Sequence, residues 1–158
     1  MKDFQPQNLD EADLLRLQGR ANAIPRILVV EDEPCIRQLN TKTLTAAGFQ
    51  VDAAEDGAAA WATLQQNRYD LLVTDNDMPR VSGVELLHKL HAAHMALPVI
   101  MATGIPPKDE FLQYPWIQPA ALLVKPYSFN ELLGTVREIL RMAVSAEDPA
   151  GEAPPMKA

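Results

Sequence analysis

The chain has 158 residues and a mass of 17.4 kDa, with 47% hydrophobic and 22% charged residues. That is enough for one domain with a real core and too little for several. A formal charge of −7 and a pI near 4.9 exclude a nucleic-acid surface, since no Lys/Arg cluster is dense enough to track phosphates.

No apolar run reaches the length of a membrane span, and the N-terminus lacks the basic-then-apolar layout of a signal peptide. The single cysteine, Cys35, rules out an internal disulfide framework and fits a reducing compartment. A cytoplasmic protein without nucleic-acid or membrane partners is expected.

Residues 1–25 are polar and carry one helical candidate, Asp10 to Arg20, with Leu14, Leu15 and Leu17. Asn8 or Asp10 suits its cap and Gly19 its end. Its apolar face is too small for a separate domain, so it reads as an extension. The domain, expected over 26–142, opens with the apolar strand Arg26-Ile27-Leu28-Val29-Val30, which ends in Glu31-Asp32-Glu33-Pro34. Proline suits a first helical position and acidic residues suit the positive helix start. The helix places Ile36, Leu39, Thr43, Leu44 and Ala47 on roughly one face and stops at Gly48.

Gln50 to Ala54 alternates, with Val51 and Ala53 on one side, as a sheet-edge strand does. Glu55-Asp56-Gly57 turns into an Ala-rich helix, Ala58 to Asn67, buried through Trp61 and Leu64. Leu71-Leu72-Val73-Thr74 reads as a strand covered on both faces and ends abruptly in Asp75-Asn76-Asp77-Met78-Pro79. A helix from Val84 to about His94 follows, then a strand Pro98 to Ala102 ending at Thr103-Gly104. Pro106, Pro107, Pro115 and Pro119 confine the fourth helix to about Lys108 to Tyr114. Ala121 to Val124 is the fifth strand, ending at Lys125-Pro126. Ser128 with Glu131 forms a capping box before a last helix carrying Leu132, Leu133, Val136, Ile139 and Leu140. From about residue 143 a Pro/Ala/Glu tail lacks periodicity and is expected to be disordered. Five βα units specify a parallel sheet with helices on both faces.

In such a sheet the ligand site lies beyond the carboxyl ends of the strands. Standing there are Glu31 and Asp32, then Asp75 and Asp77, then Thr103, then Lys125. Carboxylates brought together repel one another unless a cation joins them. A hard divalent ion with oxygen ligands is the natural solution, Mg²⁺ where a phosphoryl group is also bound. A carboxylate nucleophile, a metal, a hydroxyl and an ammonium compose a phosphoryl-transfer site. Asp75 attacks phosphorus, Mg²⁺ and Lys125 neutralise the equatorial oxygens, and Thr103 donates to one of them.

The runs Ile27 to Pro34, Leu72 to Pro79 with Ser82-Gly83, Met101 to Gly104 and Val124 to Pro126 together resemble the receiver domain of two-component response regulators. The resemblance implies a flavodoxin-like, doubly wound five-stranded parallel sheet of order 2-1-3-4-5 with an irregular fourth helix. It implies Asp75 as the phosphoacceptor, Glu31 and Asp32 as the acidic metal pocket for Mg²⁺, and the Asp77 backbone carbonyl as a further ligand. Thr103 is then the switch hydroxyl and Lys125 the phosphate-pairing lysine, aimed by a cis Lys125–Pro126 bond. A histidine kinase or histidine phosphotransfer protein is the implied donor. A stand-alone receiver acting through an unknown downstream partner, onward phosphotransfer or a phosphorylation-dependent dimer is expected, catalysing only its own phosphorylation and dephosphorylation. One departure stands out: Leu122 occupies the position, three before the lysine, where receivers commonly carry an aromatic switch.

Two other readings use the same residues. Asp75-Asn76-Asp77 also resembles the DxD motif of haloacid-dehalogenase-type phosphatases, but there the acidic pair comes last in the chain and a cap covers the site. A receiver-like scaffold working without phosphorylation is the second alternative. His88, His91 and His94 recur at three-residue steps, which suits solvated positions near a helix C-terminus better than a metal site.

Overall fold

Five apolar strands separated by amphipathic helices have one economical solution, a sheet that buries both faces. The computed structural model describes residues 24–146 and realises it. In chain order the elements are β1 (Arg26–Val30), α1 (Pro34–Ala46), β2 (Gln50–Ala54), α2 (Gly57–Gln66), β3 (Leu71–Asp75), α3 (Gly83–Ala92), β4 (Val99–Thr103), α4 (Lys108–Gln113), β5 (Ala121–Val124) and α5 (Phe129–Ala146). The strands pair parallel in the order β2-β1-β3-β4-β5. The helical candidate Asp10 to Arg20 and most of the expected tail lie outside the described residues. α5 continues to Ala146, past the expected domain end at residue 142.

The period of two in each strand sorts the core into two layers. Ile27, Val29, Leu71, Val73, Ile100, Ala102 and Leu123 pack against Leu44 of α1 and Leu132, Val136 and Ile139 of α5. Leu28, Val30, Leu72, Val99 and Met101 point the other way, against Ala60 and Leu64 of α2 and Val84, Leu86, Leu87 and Leu90 of α3. β3 is buried along its whole length, as its unbroken apolar run requires.

Two expectations are corrected. Leu39, expected on the inner face of α1, is 49% exposed; Asn40 and Leu44 are the buried residues of this helix. Ile36, Asn40 and Leu44 form the i, i+4 row that meets the sheet, and Leu39 lies beside it. The second helix begins at Gly57, one residue early, because Asp56 supplies the cap by accepting from Ala59 N.

α4 is short, as the prolines dictate. It has no side-chain cap and buries none of its residues. Leu112 of α4 is 79% exposed, and Leu122 and Val124 of β5 are 39% and 54% exposed.

Candidate functional site

Parallel strands deliver their carboxyl ends to one edge, so residues distant in sequence meet there. Glu31 follows β1, Asp75 closes β3, Thr103 closes β4 and Lys125 follows β5. Glu31, Asp32 and Asp75 each place a carboxylate oxygen within 4.8 Å of the others. Glu31 and Asp75 are buried, whereas Asp32 is exposed at the mouth. The Lys125 Nζ lies 2.8 Å from Asp75 Oδ1 and 3.9 Å from Glu31 Oε1. The Lys125–Pro126 bond is cis, as expected.

Local chemistry explains each placement. Glu33 accepts from the backbone N–H groups of Cys35 and Ile36 and so caps α1, with Pro34 in its first turn. That use frees Glu31 and Asp32 for the pocket. Arg37 Nη1 donates to the Glu31 carbonyl at 2.9 Å and ties the acidic turn back to the helix. Beyond β3, Asn76 Oδ1 accepts from Val84 N at 3.0 Å, and Ser82 with Glu85 forms a reciprocal cap on α3. Gly83 sits so close to the strand end that a Cβ there would lie 2.9 Å from the Asp75 carbonyl oxygen.

Burial sets the electrostatics. It pushes the Glu31 carboxyl up to about 7, with the nearby Asp75 charge adding to the effect and Lys125 opposing it. Burial also raises Asp75; contact with Lys125 opposes this and the Asp77 charge reinforces it. For Lys125 burial favours the neutral amine, but Asp75 and Glu31 together outweigh it and the ammonium is stabilised.

The pocket fits a divalent cation. Its donors are all carboxylate oxygens, and three carboxylates face one ammonium. Asp75 Oδ1 is buried without an aligned hydrogen-bond partner, its contact with Lys125 being an ion pair. An oxygen of that kind is one a hard cation satisfies.

Thr103 is fully buried at the end of β4, and its hydroxyl is engaged with the Ile105 backbone, donating at 3.0 Å and accepting at 3.2 Å. Asp77 is exposed two residues past Asp75. His88 stacks edge-on against Tyr114, and His91 lies beside Trp116. Among the described residues the three-carboxylate pocket is the grouping suited to a metal, and the histidines are outside it.

Two contacts have no counterpart in the motif reading. One is the Arg37 brace. The other is a hydrogen bond from Asn40 Nδ2 to the Tyr127 hydroxyl at 2.9 Å. The signal for the second was present, a polar residue in the middle of an apolar helix row.

Residues 27–137 match the response regulator receiver domain family. The chain is 34% identical over 116 residues to the transcriptional regulatory protein CusR of Escherichia coli, a match covering 73% of this chain and 51% of that protein. It is 31% identical over 123 residues to the probable transcriptional regulatory protein TcrX of Mycobacterium tuberculosis, covering 77% of this chain and 53% of that one. The chain thus spans about half the length of the curated relatives it matches. Among solved structures it is similar to the response regulator TrrA of Thermotoga maritima in complex with Mg²⁺-BeF, at 31% identity and a TM-score of 0.63, over 73% of this chain and 98% of that chain. Chemotaxis response regulator CheY4 of Vibrio cholerae is similar at 28% identity and a TM-score of 0.67, over 74% of this chain and 99% of that chain.

Proposed function

The chain belongs to the family of response regulator receiver domains, and from that premise we propose that Asp75 accepts a phosphoryl group from a phosphohistidine donor, a histidine kinase or a histidine phosphotransfer protein, in a Mg²⁺-dependent reaction. The observation that carries the reading is the Lys125 ammonium 2.8 Å from a buried Asp75 oxygen, facing the Glu31–Asp32 pair. A carboxylate oxygen of Asp75 forms the new bond to phosphorus. The donor's P–N bond breaks, its electron pair stays on the imidazole, and any proton that the nitrogen then needs comes from solvent. Lys125 pairs with an equatorial oxygen of the arriving group, which needs only a short shift from its present partner. The Thr103 hydroxyl exchanges its Ile105 contacts for another of those oxygens.

Glu31, Asp32 and Asp75, with the Asp77 backbone carbonyl, would hold Mg²⁺, which when bound supplies charge neutralisation at the phosphoryl oxygens. The protein acts on its own side chain and turns over no external substrate. Its output is changed binding of a downstream protein, a phosphorylation-dependent dimer, or onward transfer. With Leu122 half-exposed on β5, rotation of an aromatic side chain at that position is not the readout.

The test is incubation of the full chain with acetyl phosphate and Mg²⁺. Intact mass should rise by one phosphoryl group, and the gain should vanish in Asp75→Asn and on chelation of the metal. A gain that persists in Asp75→Asn overturns the assignment.

A further inference from the structure

The row of α1 that meets the sheet, Ile36, Asn40 and Leu44, contains an amide where an apolar residue would pack without penalty. A buried amide is costly unless paired. Asn40 is 4% exposed, and its Nδ2 donates to the Tyr127 hydroxyl at 2.9 Å. Only Pro126, reached through the cis bond, separates Tyr127 from Lys125. The Tyr127 ring packs against the inner cluster that includes Leu44 and Leu132.

The same helix holds the opposite wall of the site, since Arg37 donates to the Glu31 carbonyl. One turn of α1 therefore anchors both the acidic turn and the lysine turn. Tyr127 is also in electrostatic contact with the site: burial, opposed by the Asn40 hydrogen bond, and the Glu31 and Asp75 charges, opposed by Lys125, hold the phenol above its ordinary pKa.

We propose that Asn40 and Tyr127 are positioning residues for phosphoryl transfer, their hydrogen bond tying the lysine turn to α1 and setting the reach of the Lys125 ammonium to Asp75. The inference rests on Asp75 being the phosphoacceptor. Neither residue touches the reacting atoms, so any effect on rate must pass through Lys125. A single hydrogen bond limits that effect to about three- to tenfold.

The experiment uses the full chain, acetyl phosphate as donor, fixed Mg²⁺ and intact mass as the rate readout. Tyr127→Phe and Asn40→Val should each slow phosphorylation by about three- to tenfold. The double variant, which replaces both partners by apolar groups and leaves no amide unpaired, should be no slower than the slower single. In a Lys125→Ala background Tyr127→Phe should change the rate by less than about twofold, because the positioned group is gone. Loss of stability alone would slow both backgrounds by the same factor.

A metal-free readout is hydrogen exchange of the Lys125 backbone N–H, which donates to the Thr103 carbonyl at 2.9 Å. Relative to the Leu72 N–H of β3, its exchange should quicken by about three- to tenfold in Tyr127→Phe and in Asn40→Val as the lysine turn loosens. An unchanged exchange ratio, an unchanged rate in Tyr127→Phe, or an equal loss in both backgrounds overturns the brace. Absence of any mass gain in the unsubstituted chain would instead overturn the phosphoacceptor reading, and the exchange ratio would still decide the brace.

Discussion

Burial raises the Asp75 carboxyl above its usual range, contact with Lys125 opposes this, and the charge of a second carboxylate, Asp77, adds to it. Adding a phosphoryl group would place further negative charge beside Asp77, which is exposed at the mouth of the site. The repulsion destabilises the aspartyl phosphate. Asp77→Ala should therefore lengthen its lifetime by about two- to fivefold at low salt, and by less at high salt where exposed charges are screened. The decay of the mass gain after donor removal checks this, and an unchanged decay rate would sink it.

A second residue-scale case lies at the opposite edge of the sheet. The Tyr69 hydroxyl donates to Asp52 Oδ2 at 2.6 Å, and Arg26 donates to the same oxygen at 2.8 Å. Burial and the hydrogen bond to Asp52 push the Tyr69 phenol up to about 12. A raised pKa means a stabilising contribution that is complete below the unfolded value near 10 and lost as pH rises through about 12. Asp52 shows the converse: Tyr69, opposed by burial and joined by Arg26, holds it below its usual value, so its contribution is lost as pH falls through that range. NMR titration of the tyrosine Cζ signals should show the high-pH step, and Asp52→Asn should lower it. A Tyr69 midpoint near 10 in the unsubstituted chain would refute the pairing.

At the scale of elements, glycine positions predict opposite signs. Gly57 opens α2 under the loop that follows β3, and a Cβ there would overlap the Val81 carbonyl oxygen. Gly57→Ala should destabilise by about 1–3 kcal/mol, because helix or loop must shift. The loop has little freedom: Arg80 is held at φ 68° and its guanidinium reaches buried Asp56 at 3.1 Å. Gly134 lies within α5 with nothing within 4 Å of its would-be Cβ. Gly134→Ala should stabilise by about 0.5–1 kcal/mol. Urea denaturation of the two variants measures both, and equal signs would contradict this account. The short α4 is the other consequence at this scale: prolines end it before it can cover the outer face of β5.

At the scale of the whole molecule, two helical layers bury an apolar sheet while its carboxyl edge gathers like charges. Stability is concentrated in the layers and the site subtracts from it. A ligand that binds only the folded state restores stability in proportion to its concentration. Mg²⁺ at ten times its dissociation constant should add about 1.4 kcal/mol, raising Tm by about 3–6 °C for a domain of this size. EDTA should reverse the shift and Asp32→Asn should reduce it, as measured by thermal unfolding monitored by circular dichroism. No Mg²⁺-dependent shift would contradict a metal pocket. No helix among the described residues is long and apolar enough to cross a membrane.

Much of this was legible in the sequence because it depends on local periods and strand ends. The apolar runs of β1, β3 and β4, the Ser128 cap and the proline-bounded α4 are written in neighbouring residues, and strand direction then sends Glu31, Asp75, Thr103 and Lys125 to one edge. What only the tertiary structure decided concerns direction and distance. Which of Leu39 and Asn40 faces inward depends on how α1 is rotated against the sheet, a choice of packing that helical spacing leaves open. The bond from Asn40 to Tyr127 joins residues 87 positions apart. A polar residue in an apolar helix row marks Asn40 as needing a partner, but no local pattern says that the partner is Tyr127. The sequence by itself determined which groups stand at the strand ends, because strand direction follows from local pattern; packing decided how close the lysine comes to the carboxylates.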